Sequence, residues 1–133
     1  MIIYFFRYRL YRGDGYIETW TYIVEDIEKS LYFYRDLLNL EVNRELDLEN
    51  GEKIVFLGRD GDTLLELIKG EKSSENKDIS IGFYVDSIED KIKSIKEKID
   101  IEPSALIKPN PYISFLFIED PDGYRVQLLE ESN

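Results

Sequence analysis

The sequence predicts an α+β fold made of two tandem βαβββ modules. Its second half repeats the apolar pattern of the first at an offset of 61 residues without an insertion, so that Ile54–Leu57 matches Phe115–Ile118. Each half contains one strand-like segment, one segment with helical spacing of apolar residues, and three more strand-like segments. We therefore expect a single domain over residues 17–131, with modules at 17–70 and 79–131.

The first module begins with Thr19–Val24, which is rich in β-branched and aromatic residues and so predicts a strand. Asp26 is a suitable N-cap for the helix that follows. The predicted buried face of that helix consists of Ile27, Leu31, Tyr34, Leu37 and Leu38. Three strands complete the module, with Asn50-Gly51 as a hairpin turn. They are predicted at Leu40–Leu48, Ile54–Leu57 and Thr63–Ile68.

The second module follows the same plan, with a first strand at Ile79–Val85 and a helix capped by Ser87 and Asp90. The helix is predicted to bury Ile88, Ile92, Ile95 and Ile99. The remaining strands are predicted at Ser104–Ile107, Ile113–Ile118 and Arg125–Leu129, separated by turns at Lys108–Pro111 and Asp120–Gly123. Residues 1–16 lie outside the repeat and predict either an extra strand or a basic arm.

The composition excludes several kinds of site. The chain has no Cys and no His, which excludes zinc fingers, haem ligation, iron–sulfur clusters and Cys- or Ser-His nucleophile pairs. Its net charge of −11 opposes binding to nucleic acid or anionic membranes and favours cationic or neutral ligands. The apolar run Met1–Phe6 is far shorter than a membrane span needs. We expect a cytoplasmic protein with no nucleic-acid or membrane partner.

Two motifs point to a family. Asp26, Ser30 and Phe33-Tyr34 form a D-x-x-x-S-x-x-F-Y pattern, and Asp120–Gly123 forms D-P-D-G near the end of the second module. With the repeated βαβββ pattern, the chain resembles the vicinal oxygen chelate superfamily, which includes glyoxalase I, the bleomycin-resistance proteins and the extradiol dioxygenases. The resemblance implies that the two modules form a cup-shaped sheet. In the enzymes of that superfamily, the first and last strands of each module hold a divalent metal.

The resemblance also implies which residues occupy the metal-ligand positions. The two first-strand positions, commonly His in the family, fall on Thr19 and Ser80, and the two last-strand acids fall on Glu66 and Gln127. One carboxylate with three neutral oxygens is a poor set for Zn²⁺, Ni²⁺ or Fe²⁺. We therefore expect no metal and no cofactor.

The candidate ligand-binding residues are those four positions and two that strand alternation places on the same faces. They are Thr19, Thr21, Glu66, Ser80, Tyr84 and Gln127. No catalytic residue is assigned; Glu66 is the candidate if there is one. It would either act as a base or pair with a cationic ligand, or it would be a relic, hydrogen-bonded to Thr19, Ser80 or Gln127.

The functional expectation is a metal-independent small-molecule binding protein similar to the sequestering proteins of the bleomycin-resistance type, with a cationic ligand and a homodimeric assembly. Two alternatives remain open. One is a glyoxalase I-like lyase or isomerase that uses non-His ligands or Glu66 as its base. The other is a regulatory or assembly module in which residues 1–16 reach a partner.

Overall fold

A computed structural model describes residues 17–71 and 79–132. The first range belongs to one compact unit, unit 1, and the second range to another, unit 2. Each unit contains strand, helix and three strands in the predicted order, which confirms the α+β class and the two repeated modules. The predicted extension at residues 1–16 lies outside the described residues. The assignment of both modules to a single domain stays a prediction.

In unit 1, a four-stranded sheet is covered on one face by a helix. Its strands are β1 Thr19–Val24, β2 Val42–Asp47, β3 Lys53–Leu57 and β4 Leu64–Lys69. Helix α1, Ile27–Leu31, continues as a π-helical segment, Tyr32–Leu37. The sheet order is β1-β4-β3-β2. The first strand is parallel to the last, and the other neighbours are antiparallel.

Unit 2 repeats this arrangement. Its elements are β5 Ser80–Tyr84, α2 Ile88–Lys96, β6 Ile107–Asn110, β7 Ile113–Glu119 and β8 Arg125–Glu131. The sheet order β5-β8-β7-β6, with β5 parallel to β8, is the order of unit 1 shifted to the second half. Within residues 17–71 and 79–132, no helix is long and apolar enough to cross a membrane.

Both helices begin where the sequence predicts. The Asp26 carboxylate accepts a hydrogen bond from the backbone N–H of Lys29 at 3.2 Å. The Ser87 hydroxyl accepts one from the N–H of Asp90 at 3.1 Å. Each cap satisfies a backbone donor that the first turn of a helix leaves without a partner. The caps therefore fix where each helix starts relative to the strand before it.

Each unit has its own core between the helix and one face of the sheet. In unit 1 the Tyr34 ring lies 6.5 Å from that of Tyr22, which joins the helical segment to β1. The buried sheet residues of unit 1 include Val24, Val55 and Leu67, and those of unit 2 include Leu116, Val126 and Leu128. In the helices, Leu31, Tyr34, Leu37, Leu38, Ile88 and Ile95 are buried. Ile27 and Ile92 are only half-buried. The prediction that the second helix buries Ile99 is wrong, because the helix ends at Lys96 and Ile99 lies in the turn after it, where it is half-buried.

The strand predicted at Ser104–Ile107 is displaced, since β6 spans Ile107–Asn110. The Asn110 side chain accepts hydrogen bonds from the N–H groups of Tyr112 and Ile113, at 2.8 and 3.1 Å. The turn therefore lies after Asn110 and not at Lys108–Pro111. Ser104 still bonds to β7, because its N–H donates to the carbonyl of Phe117 at 2.9 Å.

The two cores can be compared through one pair of equivalent leucines. Leu67 and Leu128 are separated by the repeat offset, and both are fully buried. We expect Leu67→Ala and Leu128→Ala each to lower the free energy of unfolding by about 2–5 kcal/mol, because each leaves a cavity. Urea unfolding followed by circular dichroism measures this. Leu48→Ala, at a residue that is 38% exposed, is the control and should cost far less. A loss below about 1 kcal/mol at either buried position would contradict the described packing.

Candidate functional site

The sheet face of unit 1 opposite the helix carries four chemically different side chains in one row. Arg44 pairs with Phe56, Phe56 pairs with Glu66, and Glu66 pairs with Thr21, so the row crosses all four strands. The Arg44 guanidinium carbon lies 4.1 Å from the centroid of the Phe56 ring, and the Thr21 hydroxyl donates to Glu66 Oε1 at 2.5 Å. A cation, a ring, a carboxylate and a hydroxyl are thus neighbours.

The hydroxyl next to Glu66 is not the one that the sequence suggested first. Thr19 pairs with Leu64, two residues before the pair of Thr21 with Glu66. Thr19 lies on the same face and is half-buried, but within unit 1 the hydrogen bond of Glu66 comes from Thr21. Of the three partners that the sequence left open for Glu66, Thr19 therefore does not bond to it within unit 1, because the register of the parallel pair decides which side chains are adjacent.

The equivalent face of unit 2 keeps the row but changes its chemistry. Phe117 pairs with Gln127, and Gln127 pairs with Gly82. The Arg125 guanidinium carbon lies 4.0 Å from the centroid of the Phe117 ring. Ser80 is exposed and pairs with Arg125, so within unit 2 it is a neighbour of the arginine and not of Gln127.

The two rows show what the repeat keeps and what it changes. Phe56 and Phe117 occupy the same position, while the carboxylate of Glu66 becomes the amide of Gln127 and the side chain of Thr21 is lost at Gly82. The arginines come from different strands, β2 in unit 1 and β8 in unit 2.

Neither the two arginines nor the two phenylalanines were predicted from the sequence as site residues. A signal was available for the rings, because both lie in the apolar runs that define the repeat, beside the positions of Glu66 and Gln127. No such signal exists for Arg44 and Arg125, since they are not related by the offset of 61 residues. Their placement over the rings depends on cross-strand geometry.

Tyr84 is the most exposed of the predicted site residues, with 71% of its surface accessible. The Tyr84 hydroxyl donates a hydrogen bond to the Glu131 carboxylate, whose negative charge also disfavours the phenolate of Tyr84. Both effects raise the pKa of Tyr84 above its usual value of 10.0. Tyr84 thus remains a neutral hydrogen-bonding group through the physiological pH range.

The residues at the four metal-ligand positions do not fit a transition metal. Among residues 17–71 and 79–132, no three His, Cys, Asp or Glu side chains lie together in a way that could hold an ion. The donor set is a hydroxyl and a carboxylate in unit 1 and a hydroxyl and an amide in unit 2, without the imidazole or thiolate that Zn²⁺ and Fe²⁺ prefer. In unit 1 the carboxylate already accepts a hydrogen bond from Thr21.

Unit 2 also contains an open groove of about 460 Å³. Its walls carry four carboxylates and one guanidinium, so its charge favours a cationic or neutral occupant over an anion. The lining residues are Asp100, Ile101, Glu102, Ser104, Phe117, Ile118, Glu119, Asp120 and Arg125. One of the four carboxylates has a structural role. Asp120 is buried, and its Oδ1 accepts the N–H groups of Asp122 and Tyr124, both at 2.9 Å.

The interaction between Tyr84 and Glu131 can be measured by titration. Glu131→Gln removes the negative charge that opposes the phenolate, so we expect the pKa of Tyr84 to fall toward its usual value. The carbon resonance of the Tyr84 ring next to the hydroxyl, followed by NMR at alkaline pH, reports this pKa. Glu97→Gln, at an exposed position at the end of α2, is the control. An unchanged pKa in Glu131→Gln would contradict the contact.

Comparisons with known proteins agree with the fold and the motifs. The family model of the glyoxalase/bleomycin resistance protein/dioxygenase superfamily matches residues 16–128. A protein of Synechocystis sp., named a probable lactoylglutathione lyase, is 29% identical over 121 residues, which cover 83% of this chain and 91% of that protein.

Solved structures show the same architecture. The antibiotic-binding protein TnmS3 of Streptomyces sp. CB03234 superposes with a TM-score of 0.69 at 18% identity, covering 92% of this chain and all of that chain. The trypanothione-dependent glyoxalase I of Leishmania major gives a TM-score of 0.69 at 25% identity and covers 86% of each chain. The repeat, the two motifs and these similarities lead to one conclusion: the chain belongs to the glyoxalase/bleomycin resistance protein/dioxygenase superfamily.

Proposed function

We propose that the protein is a metal-independent small-molecule binding protein, similar to the sequestering proteins of the bleomycin-resistance type. The main support for this proposal is the chemical difference between the row of polar side chains on the sheet of unit 1 and the equivalent row of unit 2. Glu66 accepts a hydrogen bond from Thr21 in unit 1, and the equivalent position in unit 2 is Gln127, an amide. These side chains offer hydrogen bonds and one negative charge to a ligand, and they do not supply the donors of a catalytic metal centre.

The charge of the protein supports a cationic or neutral ligand. The net charge is −11, and the groove of unit 2 has more carboxylates than cations. Such a field raises the local concentration of positively charged molecules and repels anions. The similarity to an antibiotic-binding protein supports a small organic molecule as the ligand. Sequestration of this kind requires affinity and no chemical step.

In this proposal the six candidate residues have separate roles. Glu66 pairs with a cationic or hydrogen-bond-donating part of the ligand, and Thr19, Thr21 and Ser80 supply hydroxyls. Gln127 supplies an amide with both donors and an acceptor, and Tyr84 supplies an exposed aromatic ring.

Assembly as a homodimer is part of the same proposal, and light scattering at micromolar concentration tests it.

A second candidate function is a glyoxalase I-like lyase or isomerase. The 29% identity to a probable lactoylglutathione lyase over most of both chains favours it. This function needs either a metal held by non-His ligands or Glu66 acting as a base. The first requirement is difficult to meet, because among the described residues no group of acids could hold an ion.

Metal retention separates the proposed binding protein from the metal-dependent form of the lyase. Protein purified without a chelator and loaded with Zn²⁺, Ni²⁺, Fe²⁺ or Mn²⁺ should retain well under one ion per chain after dialysis, because hydroxyl and amide oxygens are weak ligands for these ions. Inductively coupled plasma mass spectrometry measures the metal content. A stoichiometric ion in the wild type would contradict the proposal and favour the lyase.

The matched variant restores the family pattern on the same scaffold. Thr19→His, Ser80→His and Gln127→Glu together give two imidazoles and two carboxylates, and we expect this triple variant to retain about one ion per chain. Thr63→His, Ser94→His and Lys108→Glu add the same residue types at exposed positions and should retain none. Failure of the triple variant to bind any ion would show that the four positions are wrongly assigned.

A further inference from the structure

Glu66 and Gln127 occupy equivalent positions in the two units but differ in the hydrogen bonds that their side chains make. Glu66 accepts the hydroxyl proton of Thr21. Gln127 is half-buried, and within unit 2 its side-chain amide makes no hydrogen bond to another described residue. The nitrogen and oxygen of this amide are not fully buried, so the amide is accessible to solvent. A half-buried amide with one acceptor, two donors and access to solvent can bind a ligand.

Gly82 explains why the amide lies where it does. Glycine in the interior of a strand costs stability and usually marks a bulge, an unusual backbone angle or a close approach. The pairing of β5 with β8 runs without a bulge, and Gly82 has no left-handed φ. A Cβ at this residue would lie 3.0 Å from Oε1 of Gln127 and 3.0 Å from Cδ1 of Leu129. The Gln127 amide and the Leu129 side chain therefore both approach the space that a Cβ of residue 82 would occupy.

The hydrogen-bonding groups of the amide indicate the kind of group that it can accept. Gln127 has one acceptor oxygen and two donor N–H groups. On its face of β8, Arg125 lies two residues before it and Leu129 two residues after it. The Phe117 ring is the direct cross-strand neighbour of Gln127. A carboxamide supplies a donor and an acceptor in one plane and can pair with both sides of the Gln127 amide, whereas a carboxylate lacks the donor and an amidinium lacks the acceptor.

We propose that Gln127 binds a planar, uncharged carboxamide group of the ligand, and that Gly82 is a positioning residue that lets the Gln127 amide lie over β5. This inference rests on the proposed small-molecule binding function and specifies the chemistry that unit 2 recognises. Unit 1, with Glu66 and Thr21, lacks this arrangement, because the side chain of Thr21 occupies the position that Gly82 leaves open.

Three isosteric probes test the proposal on the full chain. Benzamide is neutral, benzoate is an anion and benzamidinium is a cation, and all three are planar. Gln127 is the only glutamine in the sequence, so its side-chain NH₂ signal is identified in protein labelled with glutamine-specific ¹⁵N. We expect benzamide, added with a chelator present, to shift this signal and to bind about tenfold more tightly than the two charged probes.

Variants then separate recognition from folding. Gly82→Thr installs the residue of unit 1 and should weaken benzamide binding about tenfold; Gly82→Ala, which is smaller, should weaken it in the same direction if the threonine variant does not fold. Gln127→Glu should reverse the preference in favour of benzamidinium, which a purely structural role would not do. Lys53→Thr, in an exposed strand position of unit 1, is the matched control and should bind like the wild type.

The outcomes that overturn the proposal are specific. Equal affinities for the three probes, no shift of the Gln127 signal at any soluble benzamide concentration, or benzamide binding unaffected by Gln127→Glu would each overturn it. Metal-free binding of another small molecule that leaves the Gln127 signal in place would overturn this inference and leave the proposed function standing. Stoichiometric metal in the wild type would instead overturn the proposed function.

Discussion

The parallel pairing of the first and last strands in each unit determines which polar side chains meet. In unit 1 it places Thr21 beside Glu66, and in unit 2 it places Gly82 beside Gln127. A shift of this register by one residue would turn the polar row toward the helix and the buried row toward solvent. Burial of residues such as Val24 and Leu67 in unit 1 and Leu128 in unit 2 opposes that shift. The packing of each core thus fixes the geometry of each candidate site.

The same strand arrangement carries two different rows of polar side chains. In unit 1 a hydroxyl and a carboxylate satisfy each other, which stabilises their positions and leaves one carboxylate oxygen for a ligand. In unit 2 the amide of Gln127 lies over a glycine and keeps its hydrogen-bonding capacity. The repeat therefore supplies equivalent positions, and the changes from Thr21 to Gly82 and from Glu66 to Gln127 give the two units different chemistry.

Much of the fold was predictable from local signals. β1 was predicted with its observed bounds, and both helices begin at the predicted caps, because strand composition and N-capping depend on neighbouring residues. β6 was displaced, because the turn depends on whether the Asn110 side chain bonds to Tyr112 and Ile113. Because Pro109, Asn110 and Pro111 all favour turns, the sequence is compatible with a turn at several positions in this segment.

The candidate site was predictable only in part, since it depends on contacts between strands. The faces of Thr19, Thr21 and Glu66 followed from strand alternation, but the partner of Glu66 required the register. The stacking of Arg44 and Arg125 on the two rings, and the approach of Gln127 to Gly82, depend on cross-strand geometry that the sequence does not show.

The central claim is that this member of the superfamily binds a small molecule without a catalytic metal. The most direct test is the formation of lactoylglutathione from methylglyoxal and glutathione, followed by ultraviolet absorbance, with chelated wild-type protein and with protein supplied with Zn²⁺, Ni²⁺ or Mn²⁺. The trypanothione-dependent glyoxalase I of Leishmania major, assayed with trypanothione in place of glutathione, would serve as the positive control. We predict a rate equal to that of the reaction without protein in every case. A metal-dependent rate that disappears with the chelator would contradict the account.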